Sequence, residues 1–303
     1  MNWIVWALLP PLIWSLLNHL DKYLISKYSH HVGIGGLAIM SSLFAFLSLP
    51  IIYFVDSNVF DINFQDTLII TLTGSLIALG VLFYLHALDN DDTSLVVPFW
   101  FLIPIFSYIF GVFILNEQLE ISKIIGSLIV LIGAIVLSID IDQKFKIKKL
   151  TPILMISSSV FLALSNVVFK SMSIEYSYWQ SMFWNQFGIF LFAVILFTFV
   201  EKYRHDFFTV LRINNLELGV MNVIGEVLQI IASFISYYSI LITQVSLVLL
   251  IGYTAQPLFV FIFGILLSTL FPWIAKEKIG HRHLIQKLIA IVIMMGGVYN
   301  IVL

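Results

Sequence analysis

WIVWALLPPLIWSLLNHLDKYLI (residues 3–25) and LTPILMISSSVFLALSNVVFKSM (residues 150–172) decide the fold between them. Both are continuously apolar, and both end on the same polar mark: Asn18 with Lys22, and Asn166 with Lys170. The i,i+4 spacing puts each Asn and Lys on one face of a helix. Each copy opens a series of five apolar stretches, near 3–21, 33–54, 67–87, 94–115 and 121–139, then 152–170, 179–200, 217–238, 243–270 and 284–302. A helix crosses a hydrocarbon core of ~30 Å in about 20 residues. The runs are continuous and do not alternate, which favours helices over a barrel. The expected fold is an all-α membrane protein of ten transmembrane helices. Five is odd, so a duplicated five-helix unit must reverse its membrane orientation between copies. The sequence therefore predicts two inverted five-helix repeats, 1–142 and 151–303, joined by a basic linker at 143–150.

Composition supports lipid as the solvent. The 303 residues are 60% hydrophobic, 15% aromatic and 11% charged, where a soluble domain carries about 25% charged residues. The chain has no cysteine, which excludes disulfides and thiol chemistry. Net charge is −2, which argues against nucleic acid as a partner. No motif asks for a cofactor. The apolar N-terminus reads as the first span and not as a cleaved signal.

Ten spans put both termini on one side, and the charges are unequal across the bilayer. The N-terminal side receives Lys123 and Lys170. The other receives Lys22, Lys27, Lys144, Lys146, Lys148, Lys149, Lys202, Arg204, Arg212, Lys276, Lys278, Arg282 and Lys287, which is 13 against 2. Basic loops stay cytoplasmic, so both termini are expected outside and QKFKIKK (143–149) inside. The expected location is the plasma membrane of a prokaryote.

The second part of each half repeats as well. Ser94-Leu95-Val96 answers Ser246-Leu247-Val248, Pro104 answers Pro257, Phe110-Gly111 answers Phe263-Gly264, and Gly133 answers Gly296. A mid-helix Pro, then Phe-Gly, then a Glu near Glu117, then a Gly-rich last helix resembles the drug/metabolite transporter superfamily, specifically its EamA-type two-repeat members. The resemblance covers nearly the whole chain. It implies a permease for a small metabolite, with a central cavity lined by helices 1, 3, 4, 6, 8 and 9 and opened alternately to each side. The chain departs from the pattern at VDSNVFDINFQDT (55–67), which is acidic where many relatives are basic, and at an insertion around TLFPWIAKE (269–277).

Glu226 is the sharpest single residue. It lies mid-span in GVMNVIGEVLQIIASF (219–234), with Asn222 at i−4 and Gln229 at i+3 on the same face. A carboxylate at that depth costs roughly 2.5–3.5 kcal/mol on insertion scales. Three readings stand: a proton-coupling group, a counter-charge for an ammonium substrate, or a packing residue. Asn18 and Asn166 read equally as cavity residues or as interhelical glue. Trp14, Tyr84, Trp100 and Tyr253 are deep enough for an aromatic wall able to hold an organic cation, at about 0.5–2 kcal/mol per ring; ordinary packing is the simpler reading of any one. His86, Asn185 and Gln186 read as helix contacts, and Asp89 to Asp92 as a helix-capping turn with no metal.

A secondary transporter fits inverted repeats around a central site. The substrate is expected to be zwitterionic or amine-bearing, proton coupling through Glu226 is one of the readings, and the protein in the bilayer is expected to be a monomer or homodimer. The alternative is a membrane-embedded enzyme or flippase acting on a lipid-linked substrate. No paired acidic motif, H-E-x-x-H or phosphate-binding loop occurs, which argues against an enzyme or an ATP-driven pump.

Overall fold

The computed structural model describes residues 2–28, 33–90, 96–118, 120–138, 149–212, 216–270 and 281–302. These form eleven α-helices and two 3₁₀ turns, with no strand among the described residues. The helices are α1 (Asn2–Tyr28), α2 (Ile34–Val55), α3 (Phe64–Asn90), α4 (Leu102–Leu115), α5 (Ile121–Ser138), α6 (Leu150–Glu175), α7 (Tyr178–Phe199), α8 (Glu201–Arg212), α9 (Leu216–Ile242), α10 (Val245–Leu270) and α11 (His281–Val302). Seven of them, α1, α2, α3, α6, α7, α9 and α10, are long and apolar enough to cross a membrane. α4, α5 and α11 carry shorter apolar stretches, Phe99–Leu115, Ile121–Gly133 and Leu288–Gly297. Most of the basic linker, with Lys144, Lys146 and Lys148, lies outside the described residues, as do Asp91, Asp92, Lys276, Glu277 and Lys278.

Two expectations need correction. The stretch 94–115 is not one α-helix: a 3₁₀ turn, Val97–Phe101, precedes α4. Pro104 has no N–H for the Trp100 carbonyl and its ring crowds that turn, so the α ladder cannot run through it. The basic segment after α7 is not a loop. It folds as α8, with Phe207 among the side chains packed around the core of Ile39, Leu82 and Leu196. Phe208 and Leu211 stay exposed beside Lys202 and Arg212, the pattern of a helix lying in a membrane interface. On this helix burial, then Asp206, pushes the Tyr203 phenol above its ordinary value; Tyr203 Oη lies 2.7 Å from His86 Nε2 on α3.

Lipid offers no hydrophobic drive between helices, so contacts here rest on small and hydroxyl residues. α3 crosses α7 at Gly74 and Gly188. A Cβ on Gly74 would sit 1.8 Å from the Asn185 carbonyl oxygen, and one on Gly188 would sit 1.9 Å from that of Thr71. Ser75 Oγ donates to the Gly188 carbonyl at 3.0 Å, and Asn185 Nδ2 to Thr73 Oγ1 at 2.8 Å. Asn185 is thus the helix contact its sequence suggested. Ser158 and Ser165 of α6 donate to the Gly80 and Thr73 carbonyls of α3 at 2.7 and 2.9 Å.

The pairing closes on itself when the halves are exchanged, α1 for α6, α2 for α7, α3 for α9, α4 for α10 and α5 for α11. α1 packs on α9 and α10, and α6 packs on α3 and α4. α2 meets α7, α4 meets α10 and α5 meets α11, pairs that map onto themselves. Other pairs break the pattern: α3 and α7 are tightly joined while α9 and α2 barely touch, and α10 packs on α5 while α4 and α11 at most barely touch among the described residues.

The turns fix which ends share a face. Asn63 Nδ2 donates to Tyr176 Oη at 2.9 Å, and Tyr176 Oη donates to the Asp66 carboxylate. That last bond holds the Tyr176 phenol above its ordinary value. Gln180 Nε2 donates to the Asn58 carbonyl at 2.9 Å, and Gln244 Nε2 to the Gln118 carbonyl at 2.8 Å. The α2–α3, α4–α5, α6–α7 and α9–α10 turns therefore gather on one face, where α1 begins. We call it the N-terminal face.

Candidate functional site

The cavity sits where α1, α9 and α10 meet. Ala7, Pro10, Pro11, Trp14, Ser236, Val248, Leu249, Gly252 and Tyr253 line a narrow cleft whose water-accessible space is about 10 Å³. Pro10 and Pro11 fall inside α1. Neither carries an N–H, so the carbonyls of Trp6 and Ala7 lose their helical donors. Unpaired backbone at membrane depth is tolerated where it lines a cavity. The walls are otherwise apolar, with Ser236 supplying a hydroxyl. Trp14 Nε1 is shielded from solvent and has no acceptor among the described residues, as is true of Trp100 Nε1. Among the described residues no charged side chain lines this cavity.

Four sequence-predicted aromatics come together. Trp14 and Tyr253 are on the cavity wall. The Trp100 ring stacks between Tyr84, at 4.4 Å between centroids, and Tyr253, at 6.0 Å. The 3₁₀ turn holding Trp100 ahead of α4 gives it that place.

The predicted polar stripe on α9 is longer than expected. Asn222, Glu226 and Gln229 continue through Ser233 to Ser236, with steps of four, three, four and three residues. Gln229 Nε2 lies 3.5 Å from Ser233 Oγ. The other side of α9 exposes Val220, Val223, Ile224, Val227 and Ile231. Glu226 is half-buried and does not line the cavity. Its Oε1 accepts from Ser41 Oγ of α2 at 2.5 Å, in the loose α9–α2 seam. The stripe links that seam to the cavity at Ser236.

Asn18 is exposed on α1, and Asn166 Nδ2 donates to its own helix at the Leu162 carbonyl, 2.7 Å away. The cavity lining contains neither. Their neighbour His19 is buried, and its Nε2 lies 2.9 Å from the Val260 carbonyl, so Nε2 carries the hydrogen. Pro10, Pro11, Ser236 and Gly252 were missed in the sequence. A Pro-Pro pair inside an apolar span was the available signal, since it breaks a helix ladder in lipid.

The ion pair was also missed as a unit. Lys170 Nζ donates to Glu117 Oε1 at 2.7 Å and to the Thr243 carbonyl at 2.7 Å. Lys22, its counterpart by repeat, has no described side chain.

Comparison with known proteins places this geometry. A solved crystal structure overlays 97% of this chain and 95% of its own with a TM-score of 0.67 at 15% identity, so the likeness is one of fold. In all, 27 chains of solved structures match. Among curated proteins none matches. Residues 1–139 match the EamA-like transporter family, in agreement with the drug/metabolite transporter superfamily that the sequence resembles.

Proposed function

We propose that the protein is a secondary transporter that carries a small zwitterionic or amine-bearing metabolite across the membrane by alternating access. The observation that carries this is the α9 stripe, which joins the intramembrane carboxylate of Glu226 to a cavity walled by Trp14 and Tyr253. The Ala7 carbonyl, left without its helical donor by Pro11, offers an acceptor to an ammonium group. The indole N–H of Trp14 offers a donor to a carboxylate, and the rings take the apolar body. The exchange pattern of helix contacts supports ten spans in two inverted repeats, with α4, α5 and α11 as the short ones and α8 lying in the interface. Both termini lie outside on this reading, from the lysine and arginine count. The N-terminal face is then the closed, outer one.

Purified protein should be screened by thermal shift against amines, amino acids, nucleosides and sugar phosphates. A ligand at about 100 times its Kd adds about 2.7 kcal/mol. We expect an amine-bearing hit that also moves into proteoliposomes. Release of a hydrolysed or transferred product from such a ligand would favour an enzyme instead.

Glu226→Gln separates the roles of that carboxylate. As counter-charge, its loss weakens amine binding at least tenfold, about 1.4 kcal/mol, at every pH where the native group is ionised. As proton carrier, its loss removes the pH dependence of uptake and leaves equilibrium binding little changed. Native behaviour in both assays would return Glu226 to a packing role against Ser41.

A further inference from the structure

We infer that the Lys170–Glu117 ion pair is a latch that holds the two halves together at the N-terminal face, and that its rupture opens that face. The inference rests on the transport reading, since a latch needs two states to separate. Glu117 follows α4 in the first half; Lys170 is near the end of α6 in the second. The pair is deeply placed, with the lysine side chain 11% and the glutamate side chain 8% exposed. Glu117 Oε1 also accepts from the Val245 backbone N–H at 3.3 Å, and Lys170 donates to the Thr243 carbonyl. One carboxylate thus ties the turn after α4 to α6 and to the start of α10.

The backbone delivers Glu117 to this position. Asn116 ends α4 in the left-handed conformation, at φ 53°. Glu117 N–H then reaches back to the Gly111 carbonyl at 3.0 Å. The carboxylate folds over Gly111, where a Cβ would lie 2.9 Å from Oε2. Phe169, the residue before Lys170, belongs to an aromatic cluster. Phe169 stacks on Tyr237 at 4.1 Å and meets Tyr178 at 6.5 Å, and Tyr178 Oη donates to the Phe234 carbonyl at 2.8 Å. Phe169 and Tyr237 share one buried cluster with Val245, Val248 and Leu249, the last two on the cavity wall.

The chemistry suits a device that must break. Oε1 is fully engaged, while Oε2 is buried with no partner among the described residues. Desolvating a charged pair is costly, and an incompletely satisfied pair recovers only part of that cost. The exposed Glu120–Lys123 pair nearby, at 3.6 Å, has no such constraint. The α9–α2 seam, bridged by the Ser41–Glu226 hydrogen bond, is the looser contact between helices.

The absence of native cysteine makes the test direct. Ser236→Cys places a thiol on the cavity, and labelling by a membrane-impermeant maleimide is timed from each face in intact cells and inverted vesicles. Asn58→Cys, in the α2–α3 turn, marks which preparation presents the N-terminal face. In the native background Ser236→Cys should label from the opposite face and at least about tenfold slower from the N-terminal one. Glu117→Gln and Lys170→Met should each raise labelling from the N-terminal face by about tenfold or more, a population shift of the size expected when one state loses a charged contact. The swap Glu117→Lys with Lys170→Glu should return it toward the native rate. Single variants that elute as folded protein and label at the native rate overturn the latch. If the singles do not fold, the double variant Glu117→Gln/Lys170→Met decides: folded and fast supports the latch, folded and slow overturns it. Native-background labelling from the opposite face keeps the transport reading standing even where the latch fails. Labelling from neither face in any background overturns both.

Discussion

Gly188→Val should destabilise the protein by more than about 3 kcal/mol, and Gly74→Val should do the same. Overpacking a close-fitted core costs about 1–3 kcal/mol where side chains can give way. Here the obstacle is backbone: the new Cβ would lie 1.9 Å from the Thr71 carbonyl oxygen at Gly188, and 1.8 Å from that of Asn185 at Gly74. Neither helix can absorb the strain by turning a rotamer, so α3 and α7 must separate. Separation also removes the bonds from Ser75 to the Gly188 carbonyl and from Asn185 to Thr73. The measurement is thermal aggregation in mild detergent beside size-exclusion elution. Gly219→Val serves as control, because nothing lies within 4 Å of a Cβ there. Gly188→Val that melts within a degree of native protein would show that the α3–α7 crossing is not the fixed joint described above.

The helices were legible because lipid leaves little choice. A long apolar run must satisfy its own backbone, so composition and run length place most spans to within a few residues. Two kinds of feature were not legible. The first is local chemistry hidden inside an apolar run, as at Pro104, where a missing N–H turns the start of a span into a 3₁₀ coil. The second is surface structure, as at α8, where basic residues read as a topology signal also form the polar side of a helix. The site was half visible. Aromatic residues deep in spans can be picked out singly, and Trp14, Tyr84, Trp100 and Tyr253 do assemble. Their partners Gly252 and Ser236 look like any small residue in a membrane helix, and only the packing of α1 against α9 and α10 gives them a role. Glu226 was conspicuous from its cost in lipid, but cost alone does not say which helix it faces. The Lys170–Glu117 pair joins residues 53 apart, and no periodicity within either helix announces it.

Gly252→Phe should lower transport by about 100-fold or more while leaving the fold intact. Gly252 lies on the cavity wall, and a Cβ there meets no atom within 4 Å. No glycine among the described residues has positive φ, so a larger residue adds no backbone strain in α10. Replacing a mid-helix glycine even removes a helix penalty of up to about 1 kcal/mol. The phenyl ring would fill and block a narrow cleft of about 10 Å³ that already has Trp14 and Tyr253 on its walls. A substrate would then have to displace a packed aromatic side chain to bind. A loss of about two decades corresponds to about 2.7 kcal/mol of lost binding or barrier, modest beside the apolar contact a ring makes. Gly252→Ala should retain most transport, because a methyl group leaves the cavity open. Flux of the thermal-shift hit into proteoliposomes, measured beside the melting temperature of each variant, tests this. The ligand-induced shift should vanish in Gly252→Phe and persist in Gly252→Ala. A folded Gly252→Phe protein that carries the ligand at the native rate would mean that the pathway runs elsewhere, and the seam between α9 and α2, with Glu226 and Ser41, would be the next place to block.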